Sequence, residues 1–160
     1  MKKIYAMMVL LSLSLTAFAQ GGRDLYEKYS DLPGISAVYI SPAMFRLIGK
    51  IPDMELQDES VNLTPLIKSM SGFYILSTED RATTESLYAD VKKFVKSGRY
   101  ELLMETKDDG QVLRMYTVGN EKTVESFVMV TKEDSEVSVI SFDGKMDREQ
   151  MENILAEAAR

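Results

Sequence analysis

The stretch YELLMETKDDGQVLRMYTV, Tyr100 to Val118, decides the fold. Apolar residues recur at every second position, the period of a strand with one face on a core. Tyr100, Leu102 and Met104 alternate with Glu101, Leu103 and Glu105. Asp108-Asp109-Gly110 breaks the run where a tight hairpin turn would sit. Val112 to Val118 is the returning strand, and Gly119-Asn120 turns the chain again. Downstream, Val124–Val130 and Val137–Phe142 repeat the pattern across the polar stretch Lys132–Ser135. Four strands joined by short turns predict an antiparallel meander.

Upstream of this meander the apolar period lengthens. Leu87, Val91, Phe94 and Val95 form a helical stripe, with Thr83 or Thr84 expected as its cap and Gly98 as its end. Phe73–Thr78 is apolar on both alternating faces, as a central strand requires. Thr64-Pro65 opens a short helix expected to run through Met70 and to stop at Gly72. Ser41-Pro42 opens another, with Met44, Phe45 and Ile48 as its buried face. Ile35–Ile40 is a short strand, and Arg23–Leu32 is a helix ended by Pro33-Gly34. Pro52–Ser60 is acidic and reads as a solvated loop. After Asp143-Gly144, Asp147 with Gln150 resembles a capping box for a last helix carrying Met151, Ile154, Leu155 and Ala158. The order helix, strand, two helices, strand, helix, four strands, helix predicts an α+β fold. Two layers are expected, a mainly antiparallel sheet with a C-terminal four-strand meander and helices on one face.

The N-terminus has a different character. Lys2 and Lys3 precede an uncharged apolar run, Ile4–Phe18, which ends in Ala17-Phe18-Ala19. That is the layout of a cleavable signal peptide, and the run is too short to span a bilayer comfortably. Residues 1–19 are therefore expected to be removed after Ala19, leaving 20–160 as one exported domain with no transmembrane anchor. Without Lys2 and Lys3, 17 basic residues remain against 25 acidic ones, a balance of −8. No nucleic-acid partner is expected for such a surface, because phosphate binding relies on basic clusters.

The chain has no Cys and no His. Nucleophile systems built on His or Cys are ruled out, and zinc normally takes those same ligands. No glycine-rich phosphate loop is present. No cofactor is expected. Asp143 to Glu149 lacks the ligand alternation of a calcium loop and reads as a turn followed by a helix cap. Glu101 and Glu105 are paired carboxylates of the type used in glycoside hydrolysis, but an outward strand face shows the same alternation. Ser77-Thr78-Glu79-Asp80 falls where capping and turn residues are normal. Of the eight tyrosines, Tyr26, Tyr29 and Tyr100 fit core stripes. The face away from the helices is expected to carry Glu101, Leu103 and Glu105, with Arg114 and Tyr116 beside them, as a candidate binding surface.

Four segments taken together resemble a known family. They are Tyr26-Glu27-Lys28-Tyr29, Val38-Tyr39-Ile40-Ser41-Pro42-Ala43-Met44-Phe45, Ile75-Leu76-Ser77-Thr78-Glu79, and Tyr100-Glu101-Leu102-Leu103-Met104-Glu105 through Asp109-Gly110. The chain is similar, over nearly its whole mature length, to domain of unknown function 4252. Members of that family are small exported proteins, mainly of gut-type Gram-negative bacteria. The resemblance implies no established activity and no catalytic residues. Many members look like lipoproteins, whereas no Cys follows the apolar run here, so the resemblance implies a soluble periplasmic or secreted protein. Members tend to be encoded near extracytoplasmic-function sigma factors, which implies an envelope-sensing or regulatory setting. The expected function is a non-enzymatic interaction module of the envelope, monomeric or weakly dimeric, with an envelope protein as partner. A carboxylate-dependent hydrolase and a carrier of an apolar ligand stay open as alternatives, distinguished by a polar cleft or a closed apolar cavity.

Overall fold

The computed structural model describes residues 22–48, 64–98 and 100–158. The expected signal segment 1–19 and the acidic stretch 53–59 lie outside the described residues. The elements follow the expected order: α1 (Gly22–Tyr29), β1 (Ile35–Ile40), α2 (Pro42–Ile48), α3 (Thr64–Ser69), β2 (Met70–Thr78) and α4 (Arg81–Ser97). The meander β3 (Glu101–Asp108), β4 (Gln111–Gly119), β5 (Thr123–Glu133) and β6 (Glu136–Asp147) precedes α5 (Arg148–Ala158). The class is α+β, as expected.

All six strands join one antiparallel sheet in the order β1-β2-β6-β5-β4-β3. The antiparallel pair β1–β2, whose strands are joined through α2 and α3, docks on β6, so β6 lies inside the sheet. Because every neighbouring pair is antiparallel, β2 and β3 run in the same direction. Helix α4 makes the crossover between them. Its 17 residues span about 25 Å, enough to pass over the roughly 19 Å that separate β2 from β3.

Several boundaries follow from side-chain chemistry. The N-cap of α4 is Asp80, not Thr83 or Thr84: Asp80 Oδ1 accepts the Thr83 N–H at 2.8 Å. Thr84 is fully buried instead, and its hydroxyl donates to the Ser135 carbonyl at 2.5 Å, which ties α4 to the β5–β6 turn. Gly98 closes α4 as expected. Asp147 caps α5 through the Gln150 N–H at 3.1 Å. Ser41 Oγ accepts the Met44 N–H at 3.3 Å at the start of α2, where Phe45 is buried but Met44 is exposed, against expectation. Gly72 does not end α3; β2 begins at Met70 and carries Gly72 beside an irregularity in its pairing. Asp143-Gly144 is likewise strand, paired with β2, rather than a turn. Helix α1 stops at Tyr29, and the chain turns through Gly34 at φ 77.

The main core lies between the sheet and two helices. Leu87, Val91 and Val95 of α4, with Leu25 and Tyr29 of α1, pack on Leu76, Val128, Val130, Val137 and Val139. Helices α1 and α4 thus cover one face, but the helices are not confined to it as expected: Leu66 of α3 and Met151 of α5 pack on the opposite face, with Phe127 and Phe142. A second cluster joins Val124, Phe127, Met146 and Met151, with Leu66 of α3 against it. Phe127 points away from the α4 side, so α3 and α5 serve this separate cluster.

Candidate functional site

The cross-strand register assigns every strand residue to a face. Leu76, Val139 and Val130 are neighbours in one row beneath α4, and the row continues into Arg114 and Glu105. Arg114 and Glu105 therefore stand on the face covered by α1 and α4, not the opposite one. Tyr116 does too, paired with Val128 and packed against the main core.

The five residues expected to share a surface are divided by a bulge. The β3–β4 register shifts between Leu102 and Met104. Before the shift, Leu102 pairs with Tyr116 and Glu101 with Thr117; after it, Met104 pairs with Met115 and Glu105 with Arg114. Leu103 is the unpaired residue of the bulge and is exposed. Glu101 falls on the face opposite Glu105, so these two carboxylates do not converge. Leu102 and Met104, expected in the core, are also exposed and stand on different faces.

Glu105, Arg114 and Tyr116 remain together, as a clasp between the edge of the sheet and α4. Arg114 Nε donates to Glu105 Oε2 at 2.5 Å, and its guanidinium also donates to the Tyr88 hydroxyl on α4. The Lys107 ammonium lies 2.8 Å from Glu105 Oε1. Hydrogen bonds from Lys107 and then Arg114 hold the Glu105 carboxyl below its ordinary range. The hydrogen bond from Glu105 raises Arg114, and burial raises the Tyr116 phenol. Lys92 and Lys132 also lie over the Tyr88 ring, at 4.7 and 5.7 Å from its centroid. These charges are mutually satisfied, and their role is to fasten layers together.

The tyrosines expected in the core are there. Tyr29 is buried and donates to Asp90 Oδ2 at 2.7 Å. Tyr100 donates to Ser126 Oγ at 2.9 Å, and burial pushes its phenol up to about 12. Ser126 and the Gly22 N–H both serve Asp143, whose carboxyl burial holds above its ordinary value. Among the described residues, no group of three or more Asp or Glu is arranged to hold a metal ion.

The other face of the sheet has an ordered layout that strand patterns alone did not reveal. One row crosses all six strands and is wholly apolar: Val38, Ile75, Ile140, Met129, Met115, Met104. Its ends are open, with Val38 42% and Met104 41% exposed. Val38, Ile75, Ile140 and Met104 belong to neither core cluster, whereas Met115 and Met129 between them pack, half-buried, against the second one. On one side lies the row Ile40, Phe73, Phe142, Phe127, Thr117, Glu101, where Phe127 is covered. On the other lies a mostly hydroxyl row: Ser36, Ser77, Ser138, Thr131, Leu113, Thr106. Beyond it come Asp108, Gln111, Glu133 and Glu136, all exposed. Two shallow depressions of about 220 and 340 Å³ open at this end and share Glu136; the second also includes Glu79. No paired position on this face is Lys or Arg. The paired strand cations Lys107, Arg114 and Lys132 all stand on the α4 face, by their pairing with Val112, Glu105 and Val112, and Lys145 of β6 has no cross-strand partner in the register.

The family model for a domain of unknown function, DUF4252, matches residues 29–154. The chain belongs to the DUF4252 family. The match takes in all six strands and the start of α5, so the sheet and both of its faces fall within the DUF4252 domain. No curated protein and no solved structure matches the chain.

Proposed function

We propose that this protein is an exported, non-enzymatic binding module of the cell envelope, and that it binds a partner protein through the sheet face opposite α1 and α4. One observation carries the reading: an apolar row crosses six strands on a face of an otherwise acidic domain, with Val38, Ile75, Ile140 and Met104 outside both core clusters and only Met115 and Met129 resting against the second, beside α3 and α5. Apolar surface of that extent, rimmed by polar residues, marks interaction sites. Methionines suit such a surface because their unbranched side chains adapt to a partner. A carrier would need a closed apolar cavity and a hydrolase a cleft with converging carboxylates. The two depressions are shallow and lined largely by polar residues.

Export is part of this reading and rests on Lys2-Lys3, the apolar run and Ala17-Phe18-Ala19. Intact mass of the exported protein should show loss of residues 1–19; a full-length soluble species would overturn export. For the binding face, the tagged mature protein is used to capture partners from its own envelope. A Val38→Glu/Met104→Glu variant, changed only at exposed ends of the row, should keep its melting temperature and lose the captured protein. Capture that survives the double change would remove the face from the assignment.

A further inference from the structure

We infer that the occupant of this face is a cationic amphipathic helix of a partner protein, laid across the strands. The inference rests on the binding-module reading and adds the chemistry of the partner.

Charge selects the sign. Glu101, Asp108, Glu133 and Glu136 stand on this face, Glu79 borders it, and no paired position carries a basic residue. Glu79, Glu133 and Glu136 are exposed, and none is among the ion pairs of the described residues. An acidic partner would be repelled, and a neutral one would leave these carboxylates beside an apolar contact with no counter-charge.

Geometry selects a helix. The face of a sheet offers side chains only, because its backbone donors and acceptors are spent within the ladders. An extended peptide lying there would have to leave its own N–H and C=O groups unpaired, whereas a helix satisfies them internally. The apolar row spans five strand spacings, about 24 Å, which a helix covers in about 16 residues. The molecule already solves this problem once, on its other face, where α4 uses 17 residues to cross the sheet. Successive rows lie about 7 Å apart, so the acidic row is about 14 Å from the apolar one. A helix about 10 Å across, seated on the apolar and hydroxyl rows, brings Lys or Arg side chains within reach of Asp108, Glu133 and Glu136.

The test uses the full mature protein and three labelled 16-residue peptides, followed by fluorescence anisotropy. The first is an amphipathic Leu/Lys helix, the second replaces each Lys with Glu, and the third scrambles the first so that the apolar stripe is lost. The Leu/Lys peptide should bind, the other two should not, and added salt should weaken binding. Glu133→Lys/Glu136→Lys should reduce affinity about tenfold or more, as should Val38→Glu/Met104→Glu. Glu27→Lys/Glu85→Lys, exposed acids on α1 and α4 over the opposite face, should leave affinity unchanged. Equal binding of the Glu or scrambled peptide overturns the inference, as does equal loss in the Glu27/Glu85 variant, which would mean diffuse charge attraction. Should the peptides fail while envelope capture still depends on Val38 and Met104, the face binds a partner of other chemistry and only the helix assignment falls. Concentration-dependent dimerisation abolished by the same two changes would instead identify a second copy as the occupant. If neither peptides nor capture respond, the binding-face reading falls as well.

Discussion

Arg114→Ala should loosen the edge of the sheet. The Arg114 side chain is only 19% exposed and is held at both ends of its fork, by Glu105 on β3 and by Tyr88 on α4. Its guanidinium carbon also lies 5.9 Å from the Tyr88 ring centroid. Truncation removes two charge-assisted hydrogen bonds, the ring contact and the buried aliphatic stem. It leaves no orphaned carboxylate, because Lys107 stays 2.8 Å from Glu105. Contributions of this kind overlap rather than add, and their combined loss costs about 2 kcal/mol. For a domain of this size that is a fall of about 6 °C in melting temperature. Urea unfolding followed by circular dichroism measures it, with Arg114→Lys recovering part of the loss because the charge returns without the fork. A double-mutant cycle with Tyr88→Phe should give a coupling of about 1 kcal/mol. If Arg114→Ala unfolds within about 0.3 kcal/mol of the wild type, below the scatter of distant pairs, the clasp contributes nothing. Arg114 would then be the free surface anchor that the strand pattern implied.

Three further perturbations test other parts of the structure. Leu87→Ala, at a fully buried position in the α4 stripe, should cost about 3 kcal/mol, and a cost under about 1 kcal/mol would mean that α4 does not pack as described. Tyr29→Phe removes the hydroxyl that donates to Asp90 and should cost about 1–2 kcal/mol at neutral pH. Asp90 is held below its ordinary pKa by Lys28 and then Tyr29, so its stabilisation is present above the unfolded value and fades as acid protonates it; chemical denaturation across that range reads both effects. Asp143 has the opposite sign. Burial raises its pKa in the fold and one oxygen has no partner among the described residues, so the native state binds the proton more tightly. Its contribution falls as pH rises from the unfolded value through the raised one. Asp143→Asn should therefore stabilise the domain at pH 7 and flatten that part of the pH profile; destabilisation at pH 7 would show that the charge is needed.

The element order was readable because its signals are local. Asp147 with Gln150, Ser41-Pro42 and Asp109-Gly110 each fix a boundary through one turn of chain. In the last of these, both turn residues have positive φ, 39 and 89, as a two-residue hairpin demands. The placing of β1 and β2 beside β6 was not readable, since it depends on contacts between distant segments. The candidate surface failed for a more specific reason. Strict alternation from Tyr100 to Glu105 holds only if no residue is inserted, and Leu103 is inserted. Both faces of the sheet are apolar over much of their area, so the residues around the bulge do not reveal the change of side. Leu102 and Met104 looked like core because they are apolar, and Glu105 looked outward because it is charged, though its charge is met by Arg114 on the helix side. The apolar row left a trace in the sequence, Met104, Met115 and Met129, but only the register aligns them.

The central place of β6 constrains when this domain can fold. A chain made or threaded N-terminus first presents β1 and β2 early, yet their pairing partner in the sheet is Glu136–Asp147, near the far end. Until that strand emerges, β1–β2 is a lone two-stranded pair, which is marginal in water, and α4 has no Val137 or Val139 to pack on. The hairpins β3–β4–β5 can form through local contacts, but the two halves have nothing to join them. Folding is therefore gated by the arrival of the last quarter of the chain, and long-range closure of this sort is slow. A polypeptide with that property completes its native sheet only once it is almost fully released.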